Sequence, residues 1–307
     1  MTALLASQLS KSFGPIKALD QLDLAIEDGS FFGLLGPNGA GKSTFMSLVS
    51  GFQKPDSGTL QLFGVALDAE NLQQKKTIGF APQHIALYPE FTAEKNLSFF
   101  GKLYGLSGKD LAHRIDSVLD IAQLADRRRS RVKDFSGGMK RRLNIACALL
   151  HQPRILLCDE PTVGVDPQSR NAIFDTLRAM KEQGMTVVYS THYMEEAERL
   201  CDTIAIIDQG RILRRGTLEE LLSDLPHDTL ISLRRGTLAE PQLAALSQFG
   251  TVRESGHHYQ LQPGETFKLS RFFGWAEEQD IPAQTFQIQR PSLEDLFLHL
   301  TGRDLRE

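Results

Sequence analysis

What the sequence has little of sets the first limits. Its three cysteines, Cys147, Cys158 and Cys201, lie far apart in apolar stretches and form no C-x-x-C pair, which predicts buried free thiols and disfavours disulfides or a cysteine-held zinc. No apolar run approaches the ~18 to 20 residues that span a bilayer. The opening Met1-Thr2-Ala3-Leu4-Leu5-Ala6 has neither the basic segment nor the long apolar core of a secretion signal, so a cytosolic chain is expected. An excess of positive charge is also missing. The 34 Lys+Arg stand against 38 Asp+Glu, a formal net charge of -4, which weighs against a general nucleic-acid binder. What is present is ordinary globular composition over 307 residues, enough for one large domain and a smaller one.

The stretch that organises the rest is Gly36-Pro37-Asn38-Gly39-Ala40-Gly41-Lys42-Ser43-Thr44, which fits the phosphate-loop spacing G-x-x-x-x-G-K-S/T. An apolar strand signal at residues 31–35 precedes it and a helix signal at residues 45–49 follows, as the motif requires. Glycines let the backbone wrap a phosphate chain and aim consecutive N–H groups at it, with the helix N-terminus adding to the field. Lys42 would reach the terminal phosphates, and the Ser43 hydroxyl suits Mg²⁺, a cation that takes hard oxygen ligands.

Around this loop, Leu22, Leu24 and Ile26 fall on one face of a strand and suggest a small β-layer. Phe13, read alone, is a core residue or a ring placed to stack on a purine. Further strands are expected at residues 59–63 and 78–80. From Ala93 the pattern turns helical, with Leu111, Ile115, Val118, Leu119 and Ala122 at three- and four-residue steps, up to a basic turn at residues 127–131. Phe135-Ser136-Gly137-Gly138-Met139 then opens a helix over residues 140–150, and by itself is either a second anion site or a capped helix start. The apolar strand 155–158 ends in Asp159-Glu160, which in a phosphate-loop protein serves to hold Mg²⁺ through its shell (Asp159) and to accept a proton from water (Glu160). A strand over residues 186–190 delivers Thr191-His192 at its C-terminal end, where open α/β sheets keep their ligands.

Taken together and in order, these stretches resemble the ATP-binding cassette (ABC) ATPases across the first two-thirds of the chain. The resemblance implies that residues 36–44 are the Walker A loop, Gln83 the Q-loop glutamine and a metal contact, and residues 135–139 the signature. It likewise implies that Asp159 and Glu160 are the Walker B pair with its catalytic glutamate, that Asp166 belongs to the D-loop, that His192 is the switch histidine and that Phe13 stacks on adenine. The departures are Phe135 for leucine, Met139 for glutamine, Phe13 for tyrosine and Val165 for leucine, and none removes a polar group from the mechanism.

The implied fold is an α/β phosphate-loop cassette over residues 1–225, with a mixed β-core, an antiparallel β-layer and a helical subdomain at about residues 84–152. A small α+β domain over residues 226–307 is expected to follow, ferredoxin-like from its βαββαβ order and closed by a terminal helix with a capping-box spacing from Ser292 to Asp295. Such an extension, ending in "SLEDLF", resembles the ATPases of drug-resistance-type bacterial exporters. These implications add up to ATP and Mg²⁺ as cofactors and a homodimer sharing two ATP sites head to tail. They also include a separate membrane permease met through residues 84–91, and a peripheral place on the cytoplasmic face of the inner membrane. The rival reading is an ABC ATPase that works on DNA or ribosomes rather than in transport.

Overall fold

The computed structural model describes residues 1–68, 70–225, 229–255, 257–264 and 266–302. The chain divides into two compact units, one of residues Met1–Leu218 and one that begins at Glu219. Pro226, where the smaller domain was expected to begin, lies outside the described residues.

The centre of the first unit is a six-stranded sheet in the order Arg211–Gly216, Thr203–Asp208, Phe31–Leu35, Thr186–Thr191, Ile155–Asp159, Ile78–Ala81. Every pairing is parallel except that of the outermost strand Arg211–Gly216. Strands covered on both faces need apolar residues at every position, which is why the sequence shows continuous apolar runs here instead of alternation. Phe31, Leu156, Val187 and Tyr189 enter the core shared with the helices Ala93–Leu103, Gly108–Ile121, Gly137–Leu149 and Pro167–Glu182. Their neighbours Phe32, Leu157 and Val188 point to the opposite face, into a core shared with the helix Lys42–Val49 and the antiparallel layer. That layer orders its strands Ile16–Glu27, Thr2–Phe13, Ser57–Leu62, Val65–Ala66. Leu22, Leu24 and Ile26 are all buried, as their alternation predicts.

The parallel strands all run toward one edge of the sheet. The residues that follow Phe31–Leu35, Ile78–Ala81, Ile155–Asp159 and Thr186–Thr191 therefore meet there, and these are the phosphate loop, Gln83, Glu160 and His192. Cys147 and Cys158 are buried and Cys201 is half-buried, and desolvation pushes each thiol well above its ordinary range.

The second unit has a four-stranded antiparallel sheet in the order Gly250–Ser255, His258–Pro263, Leu230–Arg234, Phe286–Gln289. The helix Leu269–Glu278 packs Phe272 into its core with Phe249 and Phe286. The terminal helix Leu293–Thr301 begins in a reciprocal cap, in which Asp295 accepts from the Ser292 N–H at 2.8 Å while Ser292 Oγ accepts from the Asp295 N–H at 3.4 Å.

Candidate active site

Glu160 is the hub. Its backbone, just past the strand Ile155–Asp159, takes the left-handed conformation at φ 44°, a cost of about 1–3 kcal/mol for a residue other than glycine, and the residue is 4% exposed. The turn is held because its N–H donates to the carbonyl and hydroxyl of Ser190 at 3.2 and 3.0 Å. The same Ser190 hydroxyl donates to Asp159 Oδ1 at 2.6 Å, so one side chain of the neighbouring strand holds the Asp159 carboxylate and the Glu160 backbone.

Three expected site residues converge on that carboxylate. Lys42 Nζ lies 3.0 Å from Glu160 Oε1 and spends its other two donors on the carbonyls of Gly36 and Pro37, at 2.7 and 3.0 Å. Gln83 Nε2 donates to Glu160 Oε2 at 3.2 Å. His192 Nδ1 is 3.3 Å from the same oxygen but is not oriented to hydrogen-bond it. A cation, an amide and an imidazole thus surround one carboxylate in a nearly water-free pocket, the setting in which fixed charges act most strongly.

The loop geometry accounts for its glycines. Gly41 sits at φ 109°, and a Cβ there would come 2.5 Å from the Ala18 carbonyl oxygen, so no other residue fits without a shift. Gly39 is exposed with open space where a side chain would be, alongside exposed Asn38 and Ser43, while Ala40 and Lys42 are buried. That open side, beside a helix N-terminus and an ammonium, has the room and the charge to suit an anionic chain. Thr44, half-buried, lies in the first turn of the helix Lys42–Val49.

Other expected residues lie elsewhere on the first unit, most of them exposed. Ser136 caps the helix Gly137–Leu149 by accepting from the Met139 N–H at 3.2 Å; the helix therefore begins three residues before the expected Lys140. Ser136 and Gly137 are exposed, and Gly138 is pressed so closely on Ser169 that a Cβ would come within 2.2 Å of its side chain. Asp166, exposed, caps the helix Pro167–Glu182 by accepting from the Ser169 N–H at 2.9 Å. Phe13 is 45% exposed at the end of its strand, which removes the core reading of this ring.

Sequence reasoning missed the parts that join these pieces. Arg141, on the helix behind the signature, donates to the carbonyls of Gln83 and Pro82, and Asn144 on the same helix donates to Pro82 O at 3.3 Å and accepts from the Ala86 N–H at 3.2 Å. Gln83 is thereby tied to the signature helix. Burial lowers the pKa of the Arg141 guanidinium, opposed by the charges of Asp159 and Glu160. A helical Arg and Asn three residues apart was the only available signal, and it also describes an ordinary surface.

A phosphate loop, a histidine at the end of the adjacent strand and a carboxylate on the next define a nucleotide-hydrolysing class of site. The family model described as ABC transporter matches residues 19–163. The linearmycin resistance ATP-binding protein LnrL of Bacillus subtilis is 42% identical, over 98% of this chain and 99% of its own length. The Nod factor export ATP-binding protein I of Cupriavidus metallidurans is 38% identical over 100% of both. Among solved structures, an ATP-binding subunit of an ABC transporter superposes with a TM-score of 0.65 at 31% identity, over 72% of this chain and 92% of its own. A dimeric ATP-binding cassette in a post-hydrolysis state with ADP and Pi gives 0.63 at 28% identity, over 70% and 98%. The chain belongs to the ATP-binding proteins of ABC transporters. It is an ATPase, the ATP-hydrolysing subunit of an ABC exporter, and the rival role on DNA or ribosomes is not favoured.

Proposed function

We propose that the groups around Glu160 are the hydrolytic half of a site completed by a second copy of this chain. The carrying observation is the convergence of Lys42, Gln83 and His192 on one buried carboxylate, while the capped helix start at Ser136 and Gly137 lies exposed. Residues 36–44 hold the phosphates of ATP, Phe13 stacks on the adenine, and Lys42 leaves Glu160 for the phosphate oxygens. Glu160 accepts a proton from the attacking water, and His192 hydrogen-bonds the terminal phosphate or that water.

Ser43, Asp159 and Gln83 supply hard oxygen donors that fit Mg²⁺, which when bound neutralises charge on the phosphates. Among the described residues no group of three or more His, Cys, Asp or Glu could hold a metal alone, in keeping with an ion that shares its shell with phosphate and water. Ser136, Gly137, Gly138 and Asp166 face the partner's ATP, so binding closes a homodimer head to tail and hydrolysis releases it.

The permease docks through residues 84–91, on the cytoplasmic face of the membrane. Ile85, Tyr88 and Phe91 are 37, 44 and 39% exposed, which supports docking over core packing. Tyr88 packs against Phe91 and Phe99 at 5.2 and 5.0 Å, and the buried Asn96 side chain holds its backbone N–H and carbonyl at 2.8 and 3.0 Å. That makes a stiff aromatic platform. Among the described residues no helix is long and apolar enough to cross a membrane, so the transport path falls to the permease.

The domain expected from residue 226 onward is a ferredoxin-like accessory domain that adjusts pairing, a reading supported by the strand order over the described residues within 230–289. The test is affinity purification of tagged Glu160→Gln from its native membranes with ATP. A polytopic membrane protein is the expected companion; ribosomal proteins or nucleic acid in its place would overturn the exporter assignment.

A further inference from the structure

Behind the histidine lies a second buried carboxylate that the hydrolytic chemistry does not use. Glu196 sits in the first turn of the helix Met194–Leu200 and is 3% exposed. Its Oε2 accepts three hydroxyl donors from three places: Thr162 Oγ1 at 3.0 Å, Tyr189 Oη at 2.8 Å and Thr191 Oγ1 at 2.8 Å. Burial first, and then the adjacent Glu196 charge, raise the Tyr189 phenol well above its ordinary range, which keeps it a donor.

The donors matter for where they stand. Thr162 is two residues beyond Glu160, in the loop that leads to Asp166, and its carbonyl accepts from the Val165 N–H at 3.1 Å. Thr191 precedes His192, and its hydroxyl also accepts from the Tyr193 N–H at 2.9 Å, which closes the turn that presents the imidazole. The other oxygen of Glu196, Oε1, has no hydrogen-bond partner among the described residues and lies 3.6 Å from Arg170 Nε, itself unpartnered. Arg170 belongs to the helix capped by Asp166, and its guanidinium stands 5.4 Å from the centre of the Tyr193 ring. A single buried charge thus touches the loop after Glu160, the turn that carries His192 and the helix behind Asp166.

We propose that Glu196 is a positioning residue that locks the 161–165 loop and the 191–193 turn into one body, so that the base and the histidine keep a common geometry and shift together as Asp166 meets the partner chain. An ionised oxygen suits this task because it satisfies three hydroxyls at once, and hydrogen bonds to a charged acceptor are about twice as strong as neutral ones. This inference rests on the hydrolytic reading of Glu160 and His192 given above.

The experiment uses the full chain and compares Glu196→Gln, Thr162→Val, Thr191→Val and Thr162→Ser by steady-state ATPase kinetics and backbone hydrogen exchange. Glu196→Gln is expected to lower kcat about tenfold with KM for ATP within about twofold, and to raise exchange in residues 161–165 and 191–193 together. Each valine variant reproduces the paired rise in exchange with a smaller fall in kcat, and Thr162→Ser, which keeps the hydroxyl, restores most of the rate. Exchange that rises in one segment alone, or valine variants indistinguishable from the native chain, would overturn the proposal. If Glu196→Gln fails to fold, the valine variants decide it, since they leave the charge in place. Should His192→Ala retain full turnover, the hydrolytic reading fails by itself, and the paired exchange still decides whether Glu196 joins the two segments.

Discussion

The helix that starts at Lys42 and the one that starts at Gly137 both open on glycine-rich turns, yet they are furnished differently. The first has a buried ammonium, a carboxylate 3.0 Å away and an amide and an imidazole within 3.3 Å of that carboxylate. The second has an exposed serine that caps its own helix and an exposed glycine beside it. Both present backbone donors to an anion. In the proposed reading the first carries the chemistry and the second a contact, a division of labour that makes sense when the two come from different copies of the chain.

The most severe way to break this comparison is at Glu160. Glu160→Gln is expected to lower turnover by about a hundred- to a thousandfold, the order seen for loss of a general base, while ATP still binds and closed dimers accumulate in sedimentation. A monomer with normal turnover in ATP would reject the assignment. Next is Lys42→Ala, which removes the ammonium that stands 3.0 Å from the buried Glu160 carboxylate. ATP affinity should fall about a hundredfold in an equilibrium titration. An unchanged affinity would remove the phosphate-loop role.

The second helix start is probed by Ser136→Ala, which removes the cap and costs about 1 kcal/mol of stability. ATP affinity of the dilute chain should be untouched and ATP-driven pairing weakened about tenfold; an equal loss in both would erase the distinction between the two turns. Smallest is Asp166→Asn. The Ser169 N–H holds the Asp166 carboxyl below its ordinary range. Its stabilising contribution is therefore complete above the unfolded carboxylate pKa of about 4 and fades as pH falls through the depressed folded value. The variant should flatten that acid limb in thermal melts below about pH 4, and a limb unchanged from the native chain would count against the cap.

Much of this was legible beforehand because spacing alone constrains it. The phosphate loop, Glu160 and His192 each follow a fully buried strand, and parallel strands carry such residues to one edge whatever the loops between them do. Helix starts were less legible: Gly137 and Gly138 are poor helix formers, and only the Ser136 cap draws them into the helix. Side-chain partnerships far apart in sequence were not legible at all. Nothing in the spacing of Arg141 announces that it holds the Gln83 carbonyl. An acid at position 196 is ordinary near a helix N-terminus, and only the surrounding hydroxyls reveal Glu196 as the knot of a network.

The cysteines have a practical use. With Cys147 and Cys158 buried, Cys201 half-buried and all three thiols pushed above the ordinary range, little reactive thiolate exists at neutral pH. A fluorophore or spin probe attached through one new surface cysteine, for instance at Phe52, which is 82% exposed, would report from that place alone. Opening and closing of a pair of chains can then be followed as a distance, in real time, with every native residue of the site left in place.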